Sequence, residues 1–259
     1  MNRSDAAIRP GARRSALLRL SHTLGRSELQ LSILAEGNTS ARLESRRLLV
    51  KASGGSLATL RPSDIVECHS GPLLALLEKP DPGDRNIHLA LQASRVDGSA
   101  KKPSVEALFH AWLLTLPGVE FVGHTHPIAS NQLLCSPRAR DMAVKRIYPD
   151  EVVCCGPASV FVPYLDPGHK LARAIRTRTT AYMKRFGAPP RVILLQNHGV
   201  ITLGRTPDAV IAAMLMTEKA AQVRIGATRM GGPTYMALHD VLRIASRPDE
   251  HVRRKALRL

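Results

Sequence analysis

The amino-acid sequence predicts an α/β or α+β fold, because strands and helices alternate within one domain. Two long segments, residues 166–186 and 207–229, have apolar residues at helical spacing and a proline near the first helical position. Short apolar runs that end at glycine, serine or asparagine, such as residues 47–51, are typical of strands. With 259 residues, 44% of them hydrophobic, the chain is long enough to bury a core without disulfides.

The N-terminal half alternates periodic segments with polar turns. Apolar residues at helical spacing predict helices, runs of β-favouring residues predict strands, and clusters of Pro and Gly predict turns and loops. The predicted elements are a flexible basic arm (1–15), a helix with a break near Gly25 (15–35), a polar turn (36–40), a strand (47–51), a long surface loop (79–103) and a helix with Ser104 at its N-cap that stops at 117–118.

The C-terminal half follows the same rules, and no domain boundary is visible within residues 16–245. Residues 246–259 form a basic tail in this interpretation. The predicted elements are a strand (119–126), two helices (128–134 and 139–147), two short strands (151–155 and 159–162), a helix (166–186), a strand (191–196) continued by 200–203, and a helix (207–229).

The composition narrows the classes of function. The net charge is +16, from 37 Lys and Arg against 21 Asp and Glu, and attracts anions, although much of the excess lies at the two ends. Aromatic residues make up 3% of the chain, which argues against a base-stacking surface and makes nucleic acid an unfavoured partner. No apolar run is long enough for a membrane span, and the first residues do not resemble a secretory signal. Four cysteines without a C-x-x-C pair fit a reducing compartment, so we expect a cytoplasmic location.

Three histidines have the context of metal ligands. His124 and His126 alternate along a strand, so both rings face the same side, and Pro127 ends the strand directly after them. A single His-x-His pair is a weak signal, but His198 also lies at a strand end, before Gly199. Three neutral imidazoles would hold one cation and leave a fourth position open for substrate.

Glu106 is the candidate acid or base. It lies in the first turn of the helix that is predicted from Ser104, where the helix dipole favours a carboxylate. The same position also suits a plain N-terminal stabiliser. His110, four residues later on the same face, either pairs with Glu106 or supports the site as a neighbour or fourth ligand.

Two short turns and a helix start offer donors to an anion. Residues 37–40 and 53–55 are rich in Gly, Ser and Thr, and Ser104 adds a helix N-terminus. None of them matches a P-loop or a G-x-G-x-x-G fingerprint, so nucleotide binding is disfavoured.

Five motifs in one order resemble the class II aldolase/adducin family. They are Gly37-Asn38-x-Ser40, Lys51-x-Ser53-Gly54, Pro103-Ser104-x-Glu106, His124-x-His126-Pro127 and Asn197-His198-Gly199. The resemblance covers roughly residues 16–230. It implies a three-layer fold with a mostly antiparallel central sheet between helices, assembled as a homotetramer.

The resemblance also implies roles for individual residues. His124, His126 and His198 match the family's zinc ligands, and Glu106 matches the residue that moves the proton. The positions that match substrate-phosphate ligands are Asn38, Ser53, Gly54 and Ser104. Lys51, His110 and Tyr235 are further candidates around the site. Mn²⁺, Co²⁺ or Fe²⁺ could replace Zn²⁺ at a tris-imidazole site.

The implied reaction is retro-aldol cleavage of a small ketose phosphate or related sugar acid through a metal-stabilised enediolate. Glu106, where the 4-epimerase branch carries Asp, favours an aldolase or a related decarboxylase of sugar-acid phosphates. Val105 and Ala35 stand where phosphate donors are common in fuculose-phosphate aldolases. The same scaffold also suits a 4-epimerase or a non-catalytic adducin-like interaction module, and the module needs none of the candidate ligands.

Overall fold

A seven-stranded mixed sheet forms the centre of the molecule. The computed structural model describes residues 10–249. The strand order is β3-β2-β1-β4-β7-β6-β5; neighbours are antiparallel except for the parallel pair β5 and β6, and the sheet does not close into a barrel. The strands are β1 (Asn38–Leu43), β2 (Arg47–Lys51), β3 (Ile65–His69), β4 (Phe121–Thr125), β5 (Val160–Val162), β6 (Val192–Leu195) and β7 (Gly199–Gly204).

Helices cover both faces of the sheet and complete the three predicted layers. One core cluster packs α2, α3, α4 and α8 on one face, and a second packs α1, α5, α6 and α9 on the other. The helices of the described residues are α1 (Pro10–Leu24), α2 (Ser70–Glu78), α3 (Gly83–Ser94), α4 (Ala107–Leu113), α5 (Ile128–Leu134), α6 (Ala139–Val144), α7 (Pro149–Cys155), α8 (His169–Phe186), α9 (Pro207–Arg229) and α10 (Leu238–Ser246).

The local signals that the sequence carries set several helix ends. In α9, the Thr206 side chain accepts the N–H of Ala209 at 3.1 Å and Pro207 occupies the first turn, so the helix begins where the sequence predicts. Helix α1 ends before Gly25, whose Cα lies so close to the backbone of Ala58 that a Cβ would come within 2.2 Å of its nitrogen. No helix within residues 10–249 is long and apolar enough to cross a membrane.

Two segments that the sequence predicts as irregular are helical. The start of α1 at Pro10 corrects the flexible arm: Arg13 pairs with Glu120 at 3.3 Å, and Arg14 donates to the carbonyl of Ile65 at 2.8 Å. Residues 1–9 of that arm lie outside the described residues, as do residues 250–259 of the C-terminal tail. The predicted loop at 79–103 contains α3. Most residues of this helix are polar or exposed, so its narrow apolar face gives little helical periodicity in the sequence.

Further predicted elements differ from the structure. The predicted strand 151–155 is helix α7, because it is buried on several sides and so lacks a period that would reveal a helix. Residues 200–203 do not continue β6 but return beside it as β7. The turn at 36–40 already enters β1 at Asn38, and α8 begins at His169, after Pro167.

Candidate metal centre and its carboxylate

Strand pairing brings the three candidate ligand histidines together. His124 lies on β4, opposite Ile201 of the antiparallel strand β7, and His126 follows β4 directly. His198 lies in the turn that joins β6 to β7. The Nε2 atom of His124 is 3.2 Å from that of His126 and 3.3 Å from that of His198. Ligand atoms of all three rings lie within 4.8 Å of one another.

The turn that carries His198 has a backbone that few residues allow. Asn197 adopts a left-handed conformation with φ of 53°. A Cβ on Gly199 would lie 2.5 Å from the carbonyl oxygen of Thr125 and 2.7 Å from the ring of His126, so only glycine lets the two segments meet. The side chain of Asn131 on α5 donates to the His198 carbonyl at 3.0 Å and fixes the turn from the other side.

The charge state of these rings suits a ligand. Burial, and then the neighbouring His126, lowers the pKa of His124 to about 3. Burial and His124 likewise lower the pKa of His198 to about 3. Both rings are therefore neutral near pH 7. The Nδ1 atom of His124 lies 3.0 Å from the Val200 carbonyl and must donate to it, which leaves a lone pair on Nε2.

A divalent cation fits this donor set. His124 Nε2 can accept one hydrogen bond, yet two other Nε2 atoms approach it, so a hydrogen bond can satisfy only one of these two contacts. Two nitrogen ligands bound at 2.0–2.1 Å to a tetrahedral cation lie roughly 3.3 Å apart, close to the spacing here. Beside them the Oε1 atom of Glu106 is buried without a hydrogen-bond partner. The three histidines would hold the cation.

Helix α4 begins at Ala107 with Glu106 at its N-cap, which corrects the predicted cap at Ser104; the Ser104 hydroxyl accepts the N–H of Glu106 in the preceding turn. The Glu106 side chain projects towards the histidines. Its Oε1 atom is 3.5 Å from Nε2 of His198, and its Oε2 atom is 3.7 Å from Nε2 of His124. The Oε2 atom accepts a hydrogen bond of 2.5 Å from the side-chain amide of Asn38. His110 does not pair with Glu106; it contacts Oδ1 of Asn38 through Nε2 and the hydroxyl of Ser40 through Nδ1, at 2.7 Å.

The candidate anion-binding residues meet at the edge of the site. An isolated β-bridge joins Ala52 to Pro103, and the backbone N–H of Ser53 donates to Lys102 at 3.0 Å. Gly54 is exposed with φ of 82°. Ser104 accepts the backbone N–H of Glu106 at 3.3 Å, two residues along. Asn38, in contrast, is buried and uses its whole amide group inside the protein.

Lys51 and Tyr235 have different surroundings. The Lys51 ammonium is buried 3.4 Å from the carbonyl oxygens of Ala35 and Ala52, and burial lowers its pKa. The Tyr235 ring lies 4.7 Å from the ammonium of Lys145, and none of its described contacts is to the histidines.

Two contributors to the site have no motif in the sequence. The Glu36 carboxylate lies 3.7 Å from Nδ1 of His126. The buried Glu218 of α9 accepts the N–H groups of Ala129 and Ser130 at 2.8 and 2.9 Å and so anchors the start of α5. Of the two, only Glu36 has a local signal, because it precedes the Gly37-Asn38 turn.

The comparisons with known proteins agree with this fold. The sequence matches the Class II Aldolase and Adducin N-terminal domain over residues 15–225. The chain belongs to this family. A curated relative, the uncharacterized oxidoreductase YuxG of Bacillus subtilis (strain 168), is 27% identical over 159 residues, which are 61% of this chain. The chain spans only 21% of the length of YuxG.

Solved structures share the fold. The N-terminal class II aldolase domain of a Thermoplasma acidophilum protein is 25% identical, with a TM-score of 0.66 over 87% of this chain and 99% of that one. An L-fuculose 1-phosphate aldolase is 17% identical, with a TM-score of 0.68 over 93% and 98%. A sugar-phosphate aldolase from Thermotoga maritima is 18% identical, with a TM-score of 0.63 over 85% and 96%. At such identities the last two show the fold alone.

Proposed function

We propose that this chain is a metal-dependent lyase that cleaves a small ketose phosphate, or a related sugar acid, by a retro-aldol reaction. The observation that carries the proposal is the convergence of three imidazoles, from β4 and from the β6–β7 turn, beside the unpartnered Oε1 atom of Glu106. An interaction module needs neither the neutral rings nor a buried carboxylate oxygen without a partner, since such an atom costs stability.

A divalent cation held by the three histidines supplies Lewis-acid stabilisation of negative charge on substrate oxygen atoms. The chain supplies the proton transfer. Glu106 first takes up a proton from water. When the C–C bond breaks, its electron pair stays on the carbon next to the carbonyl group, and the protonated Glu106 delivers this proton to that carbon. The hydroxyl proton of the other half leaves to water as the aldehyde forms. The side chains of His126 and His198 are partly exposed, so solvent reaches the site.

An anionic group on the substrate fits the rim at Ser53, Gly54 and Ser104. The hydroxyl groups of Ser53 and Ser104 lie there on two adjacent turns, and the Lys51 side chain extends from the strand that leads into one of them. A phosphate or a carboxylate meets the same donors. We propose Zn²⁺ as the cation, with Mn²⁺, Co²⁺ and Fe²⁺ as alternatives, and a homotetramer in the cytoplasm as the working form.

Metal analysis tests the first half of the proposal. After loading with Zn²⁺ and gel filtration, the wild-type protein should carry about one ion per chain by mass spectrometry. His126→Ala should lose the ion, whereas His239→Ala, a change at an exposed histidine, should keep it. A wild-type protein that retains no metal, or a His126→Ala variant that retains it fully, would contradict the assignment.

An activity screen tests the second half. The metal-loaded protein is incubated with ketose 1-phosphates and with acidic sugar phosphates. An aldehyde product supports the retro-aldol reaction, released carbon dioxide supports a decarboxylase, and a new stereoisomer without cleavage supports an epimerase. The absence of any turnover with metal bound would favour the non-catalytic module.

A further inference from the structure

We propose that His110 and Asn38 are positioning residues, which hold the Glu106 carboxylate by its Oε2 atom and leave Oε1 as the oxygen that exchanges a proton with substrate. This inference rests on the proposed function, since it assigns the working atom of the same carboxylate. It also gives Asn38 a different task from the phosphate contact that family resemblance implies.

The first support is a continuous chain of hydrogen bonds. The Ser40 hydroxyl lies 2.7 Å from Nδ1 of His110, and Nε2 of His110 contacts Oδ1 of Asn38. The Asn38 amide nitrogen donates to Oε2 of Glu106 at 2.5 Å. All four side chains are buried, so water does not compete for these bonds.

The second support is that only one assignment of donors and acceptors satisfies this series of hydrogen bonds. A carboxylate accepts, so Asn38 must present its NH₂ group to Glu106 and its carbonyl oxygen to His110. His110 then carries its proton on Nε2 and accepts from Ser40 at Nδ1. Burial, with His124 and Lys51 nearby, lowers the pKa of His110 well below its ordinary value, which agrees with a neutral ring.

The third support is the match between strand and helix spacing. Asn38 and Ser40 are two residues apart on β1 and share one face, while Glu106 and His110 are four residues apart around the start of α4. Asn38 therefore contacts Glu106, and Ser40 contacts His110 one step further along both elements. His110 is held on one side by the strand and stacks on Phe109 with ring centroids 4.6 Å apart.

The consequence is an asymmetric carboxylate. Oε2 has the Asn38 hydrogen bond, whereas Oε1 is buried, has no partner and lies 3.5 Å from Nε2 of His198. Rotation of the carboxylate would break the bond to Asn38. The reactive oxygen is thus placed by residues that never touch the substrate, and a loss of placement lowers the rate more than the affinity.

The kinetic test uses dihydroxyacetone phosphate, the fragment that retro-aldol cleavage of a ketose 1-phosphate releases. In D₂O, Glu106 takes the proton from the carbon next to the carbonyl, the electron pair stays with the substrate, and a deuteron returns. NMR follows the exchange. His110→Leu should lower the saturated exchange rate about 10–100-fold with little change in the half-saturating concentration, and His110→Gln should recover most of the rate.

A matched control and a second variant keep the result interpretable. His169→Leu removes another buried histidine, whose ring contacts the Leu76 carbonyl, and should leave the exchange rate unchanged. Ser40→Ala removes the hydroxyl at the far end of the hydrogen-bond series, with a smaller change in volume than His110→Leu. It should lower the exchange rate in the same way, and it replaces His110→Leu as the test if that variant does not fold.

Crystal structures of the metal-loaded variants give a readout that needs no substrate. Glu106 should keep its wild-type position in His110→Gln and His169→Leu, and should be displaced or adopt two conformers in His110→Leu or Ser40→Ala. A Glu106 side chain that stays in its wild-type position in both His110→Leu and Ser40→Ala would overturn the positioning role. If the carboxylate moves as expected but the wild-type protein does not exchange dihydroxyacetone phosphate, the positioning role stands and the proposed donor substrate is wrong.

Discussion

Two buried polar clusters in this molecule follow opposite rules. Around Glu151, the carboxylate meets the guanidinium groups of Arg224 at 2.8 Å and Arg146 at 3.5 Å and also accepts the N–H of Ile147. Opposite charges are in contact, and each carboxylate oxygen has a partner. Around His124, the Nε2 atoms of three imidazole rings approach one another beside a carboxylate oxygen that has no hydrogen-bond partner.

The difference is the one expected between a structural cluster and a functional one. The Glu151 cluster pairs its charges within the chain and ties α7 to α9. The histidine cluster has no such complement among the described residues, and the proposed function supplies one in a cation and a substrate. Substitutions in the first cluster should therefore act on stability, and substitutions in the second should act on binding and turnover.

The largest expected effect is on catalysis. Glu106→Gln keeps the shape of the side chain and the contact with Asn38 but removes the carboxylate that takes up and delivers the proton, so turnover of the substrate that the screen identifies should fall about 10²–10⁴-fold. Bound metal, measured by mass spectrometry, should stay at the wild-type level. Normal turnover by this variant would show that another group moves the proton.

The next effect is on stability. Glu151→Gln leaves two buried guanidinium groups without a countercharge, so the free energy of unfolding, from urea titration, should fall by about 3–5 kcal/mol. Zinc affinity of the folded protein should not change. Glu78→Gln breaks the exposed pair with Arg176 and should cost at most about 1 kcal/mol. Equal losses from both variants would remove the contrast between a buried and a surface ion pair.

The smallest effect is a change of slope with pH. His110 is neutral in the folded protein, while in the unfolded chain its pKa returns to about the ordinary 6.5. Below that pH the unfolded state binds a proton that the folded state does not, so stability falls as pH falls, by about 1.4 kcal/mol per pH unit. His110→Gln should reduce the slope between pH 6 and 4.5 by that amount in metal-free protein. An unchanged slope would mean that His110 is protonated in the fold.

Local sequence signals account for part of this structure. The three-layer fold with its mostly antiparallel sheet is confirmed, and so are Pro207–Arg229 and Arg47–Lys51, because caps, prolines and apolar runs act within a few residues. The histidines are visible in the sequence since each lies where a strand ends. Helix α7 is not, because a segment buried on several sides has no polar face to mark its period.

The connections inside the site need the third dimension. The spacing of Glu106 and His110 indicates a shared helix face, but their link runs through Asn38, 68 and 72 positions away in the chain. Glu218 supports α5 from 88 and 89 positions away. Such contacts depend on how α4 and α9 pack on the sheet, which neither periodicity nor motif spacing records.

The pairing of a two-residue step on β1 with a four-residue step on α4 constrains how these segments can diverge. Inserting one residue between Asn38 and Ser40 would turn one of them to the opposite face of the sheet, and one extra residue between Glu106 and His110 would rotate the ring by about 100°. Related sequences can thus exchange side chains at these four places, but they cannot change the number of residues between them. Conserved gap lengths, more than conserved identities, are what an alignment should reveal here.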